Sequence, residues 1–183
     1  MENFGFLKRD ETAFLIIDIQ ERLMPVISDK EDVFSNVNKL VSGAGILGVP
    51  LIVTEQYPNG LGHICKEIEM PDNQEVIEKT SFSCFLSNAV KMKLQQQKTR
   101  TLVLAGVEAH ICVLKTALDA LKNGFEVHVV ADAVSSRRRF DKEIALERMK
   151  QSGAFIATTE MILFQLMDVA GNEKFKQISR LIK

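Results

Sequence analysis

Three cysteines, Cys65, Cys84 and Cys112, are the side chains of this 183-residue sequence best suited to nucleophilic chemistry, because a thiolate is intrinsically a strong nucleophile. Placement separates them. Cys112 stands six residues beyond Gly106, where the apolar run Leu102-Val-Leu-Ala-Gly106 gives way to a helical pattern. That position is the first turn of a helix, whose backbone N–H groups and dipole favour a thiolate. Cys65 and Cys84 lack it, although Cys84 lies near the same end of the pattern and is the rival. Against this stands the ordinary role of a cysteine beside Val113 and Leu114 as core filler.

Two charged residues complete a possible reaction centre. Asp18 ends the apolar run Ala13–Ile17, where an unpaired carboxylate would be costly. It reads either as the cap of a helix beginning near Ile19 or as a proton-transfer partner for Cys112. Lys79 follows a third, shorter run and precedes the aromatic segment containing Phe82 and Phe85. A lysine reaching the same pocket would lower the thiol pKa further.

The elements that must position these groups alternate along the chain. Six apolar runs, Ala13–Ile17, Pro50–Val53, Glu75–Ile77, Thr101–Ala105, Phe125–Val130 and Phe155–Ala157, are separated by helix-like stretches. The first, fourth and fifth show little alternation, as expected of parallel strands covered on both faces. Val33, Val37, Leu40, Val41 and Ala44 form one helical stripe, and Ile111, Leu114, Leu118 and Leu121 form another. The second stripe ends at Asn123-Gly124, a left-handed helix stop. This order predicts a doubly wound α/β sheet with right-handed crossovers, built as one domain over residues 1–183. Ligands of such sheets bind beyond the carboxyl ends of the strands. Asp18, residues 55–62, 79–85, 106–112 and 132–137 all fall there.

Composition narrows the partners. The net charge is -1, so there is no basic excess of the kind that phosphate-backbone binding wants, and no nucleic-acid partner is expected. Arg137, Arg138 and Arg139 read as a solvated helix start. No apolar run approaches the roughly 20 residues that span a bilayer. Met1 to Arg9 carry no leader-like apolar stretch. An odd number of cysteines makes no disulfide framework, so a reducing cytoplasm is expected.

Two apparent motifs carry less than their letters suggest. Gly43-Ala-Gly45-Ile-Leu-Gly48 matches G-x-G-x-x-G, but it closes a helix instead of opening one. Close helix packing and a helix stop are its better explanation. The three histidines, His63, His110 and His128, show no metal-ligand spacing. His128 falls inside a strand and reads as a core residue, while His63 and His110 follow different strands and could face the pocket. Neither a metal nor another cofactor is expected.

Taken together, the blocks resemble one family. Phe14-Leu-Ile-Ile-Asp18-Ile-Gln20, Glu78-Lys79-Thr-Ser-Phe82-Ser-Cys-Phe85 and Leu104-Ala-Gly106-Val107-Glu108-Ala-His110-Ile-Cys112-Val113 are similar to the isochorismatase-like cysteine hydrolases in order and spacing. Asp132-Ala-Val-Ser-Ser-Arg137 fits the family's segment after the fifth strand. The resemblance implies a six-stranded parallel sheet of order 3-2-1-4-5-6 with helices on both faces. It also implies a triad of Asp18, Lys79 and Cys112, a cis peptide between Val107 and Glu108, and an oxyanion hole from the N–H groups of Glu108 and Cys112. A homo-oligomer is implied as well.

Two departures narrow the chemistry. Metal-dependent nicotinamidases of the family carry Asp-x-His after the second strand; here Thr54-Glu-Gln-Tyr-Pro-Asn-Gly-Leu-Gly62 takes its place. Isochorismate-cleaving members lack the cysteine that this chain keeps, although Ala109-His110-Ile111 resembles them. The Glu55–Gly62 loop resembles instead a subgroup that includes the isochorismatase-domain-containing proteins of animals. The expectation is therefore a hydrolase of a small carboxamide or related C–N bond, acting through a thioester on Cys112. Tyr57, Phe82, Phe85 and His110 would line the substrate pocket. The alternatives are a catalytically silent binding or scaffolding protein on the same fold and, resting on the glycine decoy, a nucleotide binder.

Overall fold

The apolar runs fold into β1 (Thr12–Ile17), β2 (Leu51–Gln56), β3 (Val76–Lys79), β4 (Thr101–Val107), β5 (Glu126–Ser135) and β6 (Phe155–Ala157). All pair in parallel, in the order β3-β2-β1-β4-β5-β6. The computed structural model describes residues 4–167 and 169–183. Met1 to Asn3, the start of the segment read for a leader, lie outside the described residues.

Between the strands run α1 (Lys30–Leu47), α2 (Pro58–Leu61), α3 (Asn88–Gln96), α4 (Leu114–Lys122), α5 (Arg139–Gln151), α6 (Thr159–Gln165) and α7 (Glu173–Ile182). They cover the sheet on both sides and divide the core in two. Phe14 and Ile16 of β1 join α1, α6 and α7, whereas Ala13, Leu15 and Ile17 join α3, α4 and α5. Both side-chain sets of β1 are thus buried, which is why its sequence does not alternate.

Several boundaries differ from the sequence reading. β2 and β3 run on to Gln56 and Lys79, so Lys79 ends a strand instead of following one. β5 continues to Ser135 because its register against β4 shifts between Leu104 and Gly106, and polar Asp132 hides that extension in the sequence. The Asp132 carboxylate is engaged by α6: its Oδ1 accepts from Thr159 N at 2.8 Å and Thr159 Oγ1 at 3.0 Å, fixing the start of that helix. On α4 the buried side is Thr116, Ala117 and Ala120, and the predicted stripe of Leu114, Leu118 and Leu121 is only half-buried. Small residues let this helix approach the sheet closely, which displaces the leucines to its flank.

The glycine decoy resolves structurally. A Cβ at Gly43 would stand 2.4 Å from Leu163 Cδ2 of α6, so the residue permits helix contact. Gly48 caps α1 at φ +75.

Candidate active site

The carboxyl ends of β1, β2, β3 and β4 bring the reactive side chains together. Asp18 leaves β1 with φ +54, a left-handed conformation that aspartate tolerates better than most residues. The reading of Asp18 as a helix cap is not realised, because no helix begins there; a short 3-10 turn follows only at Met24–Val26. Its side chain is fully buried and fully engaged. Oδ2 accepts from Lys79 Nζ at 2.5 Å, and Oδ1 accepts from Thr54 Oγ1 at 2.8 Å. The Cys112 thiol lies within hydrogen-bonding reach of the same carboxylate.

Lys79 reaches Asp18 from the edge strand β3 across β2. Gln56 is its register partner, and the Gln56 Oε1 accepts from Lys79 Nζ at 2.8 Å. A third bond runs from Nζ to the Ser81 carbonyl at 3.2 Å. All three ammonium donors are thereby directed. Gln56 is itself clamped: its N–H donates to Gln20 Oε1 at 2.7 Å, and Gln20 Nε2 donates to the Gln56 carbonyl at 3.0 Å. Thr54, Gln56 and Gln20 were not singled out by the sequence reading. The available signal was period-two spacing, Thr54 with Gln56 and Asp18 with Gln20, placing polar groups on one face of an otherwise apolar strand end.

Cys112 sits in a π-helical turn, Ala109–Val113, that runs into α4. The peptide between Val107 and Glu108, just before it, is cis. The electrostatics differ from the expected thiolate. Burial first, and then the Asp18 charge, push the Cys112 thiol well above its ordinary value, with Lys79 pulling the other way. Burial also raises Asp18, opposed by Lys79, Thr54 and Cys112. Burial and the Asp18 charge thus favour the thiol form of Cys112 over the thiolate. Cys84, wholly buried, has its thiol pushed up to about 11 by burial. Its Sγ is 3.9 Å from Thr54 Oγ1, and its N–H donates to Thr116 Oγ1 at 3.0 Å.

The remaining expected site residues scatter. Tyr57 borders an open depression of about 540 Å³ with Lys79, Thr80 and Leu86, and Phe82 stands half-exposed on the adjacent loop. His110 Nδ1 meets Ser136 Oγ at 2.9 Å. Phe85 points elsewhere: its buried ring packs edge-on against Phe125, 5.2 Å between centroids, near the amino end of β5. His63 pairs with Glu55 at 3.1 Å on an exposed loop, and His128 is a buried strand residue stacked on Phe155. Arg137 Nε donates to Glu108 Oε1 at 2.8 Å. Among the described residues no His, Cys, Asp and Glu are grouped as a metal-ligand set, and no helix is long and apolar enough to cross a membrane.

Residues 12–161 match the model of the isochorismatase domain. The chain belongs to the isochorismatase family. Isochorismatase domain-containing protein 1 of Salmo salar is 44% identical over 94% of this chain, which spans 61% of that relative's own length. The secreted isochorismatase effector Isc1 of Phytophthora sojae is 37% identical over the whole chain and 89% of its own. The structure of MAR1 ribonuclease from Caenorhabditis elegans superposes with a TM-score of 0.91 at 36% identity, covering 97% of this chain and 92% of that one. The sheet order and the paired helical layers are thus those of an isochorismatase-family hydrolase fold.

Proposed function

We propose that this isochorismatase-family member is a cysteine hydrolase of a small carboxamide or related C–N bond. The observation carrying the reading is the buried Asp18 carboxylate shared between Lys79 and Thr54, with the Cys112 thiol against it. Asp18 takes the thiol proton as the Cys112 sulfur attacks the carbonyl carbon. The oxyanion is held by the backbone N–H groups of Glu108 and Cys112. Asp18 returns the proton to the departing amine, the C–N bond breaks, and a thioester remains. Water, activated by Asp18, then hydrolyses it and frees the acid and the thiol. Lys79 balances the charge that develops on Asp18 and the substrate, and Gln56 keeps its ammonium aimed. Tyr57, Phe82 and His110 rim the substrate approach; Phe85 has no part in it. No metal or other cofactor enters this scheme.

Self-association and a cytoplasmic setting belong to the same proposal. The half-buried leucine flank of α4 supports the first, and light scattering tests it. Three unpaired thiols support the second. Since the Phytophthora sojae relative is named as secreted, imaging of the tagged chain decides that point.

The decisive experiment incubates the protein with a panel of amides and esters and weighs it intact. An acyl adduct on Cys112 that decays on hydrolysis is the expected result. No adduct from any member, with an unreactive Cys112, favours a silent binding protein instead. A second reading rests on the ribonuclease name of the Caenorhabditis elegans relative. Cleavage of a labelled RNA oligonucleotide, lost on Cys112→Ala, would replace the amide reading; against it stands a net charge of -1.

A further inference from the structure

At the opposite end of the sheet from the thiol, the turn joining α3 to β4 and the turn joining α4 to β5 enclose a groove of about 500 Å³. Its apolar floor is Phe85, Leu94 and Phe125, two of them buried and the third half-buried. Around this floor stand Lys91, Lys98 and Arg100, all exposed, and no acidic residue lines the groove. None of the three cations has an ion-pair partner among the described residues.

Two details mark the turn further. Lys98 is held at φ +53, a conformation a lysine rarely adopts, by its N–H bond to the Gln95 carbonyl at 3.1 Å. Next to it Thr99 is 8% exposed, and its Oγ1 has no hydrogen-bond partner among the described residues. A buried hydroxyl without a partner is unfavourable, and Thr99 stands in the groove wall between Lys98 and Arg100.

We propose that this groove is a second small-molecule site, one that takes an acyl or aryl carboxylate. The apolar body would lie on Phe85, Leu94 and Phe125, and the carboxylate would sit among Lys91, Lys98 and Arg100. Volume, apolar floor and a few convergent polar groups match what small-ligand sites require. Charge complementarity selects an anion, and the aromatic floor selects one with an apolar body over a bare ion. The site is separate from the thiol centre. Arg100 precedes β4 and Cys112 follows it, and seven strand residues span about 20 Å. One physical link exists: Phe85 of the floor adjoins Cys84, whose sulfur lies 3.9 Å from the Thr54 hydroxyl that bonds Asp18.

Octanoate is the probe, with acetate and 1-octanol as controls, followed by calorimetry and amide chemical shifts on the full chain. Octanoate should bind saturably and shift resonances of residues 94–100 and 123–125. Acetate lacks the body and octanol lacks the charge, so each should bind about tenfold more weakly or worse. Lys98→Glu with Arg100→Glu, both exposed, should weaken octanoate by about tenfold. Cys112→Ala should bind octanoate unchanged, which separates this site from the proposed hydrolase centre. The proposal fails if octanoate shifts no groove resonance at millimolar concentration, if octanol binds equally well, or if the charge reversal leaves affinity unaltered. It fails equally if the reversal dissociates an oligomer, because the groove would then be a contact with a second copy.

Discussion

Lys79 Nζ and Asp18 Oδ2 meet at 2.5 Å, with side chains 1% and 0% exposed. They come from β3 and the end of β1, with β2 between them, so the lysine crosses a whole strand to reach its partner. Burying one of these charges alone would be prohibitive, which ties the pair's energetics to the site's chemistry.

Removing one partner should therefore destabilise strongly. Lys79→Met leaves Asp18 buried without a cation and should cost about 3–5 kcal/mol in denaturant unfolding. Asp18→Asn combined with Lys79→Met should cost less than the two single losses added together. Strict additivity would show that the pair is not coupled.

Cys112 should be the thiol that matters. Cys112→Ala and Cys112→Ser should abolish turnover while keeping the circular dichroism and melting temperature close to those of the parent. Slow alkylation by iodoacetamide should map to Cys112, which is 6% exposed, before Cys84, which is fully buried. Label appearing first on Cys84, or full activity in Cys112→Ala, would transfer the role elsewhere.

The pH dependence has a definite sign. If Asp18 accepts the thiol proton, activity needs its carboxylate and is lost as pH falls through its pKa, which burial raises above the ordinary 3.8. Thr54→Val deletes a hydrogen bond that favours the ionised form. The acid limb of the rate profile should then move upward by roughly half to one pH unit. Asp18→Asn should have the reverse effect on the thiol. It removes a negative charge that holds Cys112 protonated, so alkylation should speed up at fixed pH even as turnover disappears. Slower alkylation would mean that the carboxylate assists thiolate formation in the resting state.

Gly106 should accept no side chain. Its φ is +115, and a Cβ would fall 2.0 Å from the Ile17 carbonyl oxygen, a backbone atom that cannot move without parting β1 from β4. Gly106→Ala should lower stability by about 3 kcal/mol or more in thermal unfolding.

The two helical glycines of the decoy motif should respond in opposite directions. Gly43→Ala drives a Cβ into Leu163 and should cost about 1–3 kcal/mol. Gly45→Ala meets nothing within 4 Å and should stabilise by about 0.5–1 kcal/mol. Calorimetric binding of NAD or ATP, weakened by either change, would revive the nucleotide reading.

Much of this was legible beforehand because it depends on local pattern. Runs buried on both faces cannot alternate, so β1, β4 and β5 were visible as strands, and the residues ending them marked the site. Where local pattern and tertiary contact part, the sequence misleads. Phe85 sits in the same short segment as Lys79, but the 3-10 turn Cys84–Leu86 sends its ring to Phe125. The leucines of α4 are its most apolar residues, but close approach to the sheet favours Thr116, Ala117 and Ala120.

By itself, then, the sequence determined the alternation of strands and helices, the family, and that Asp18, Lys79 and Cys112 lie at or just beyond the carboxyl ends of strands. Those are properties of side-chain period and of residue types at fixed spacing. Only the tertiary structure decided that Lys79, 61 residues along the chain, closes on Asp18, that Gln56 aims it, and that burial pushes the Cys112 thiol above its ordinary value. The reason is that charge placement and desolvation depend on which strands become neighbours and on what they exclude, and neither is written in any local run of residues.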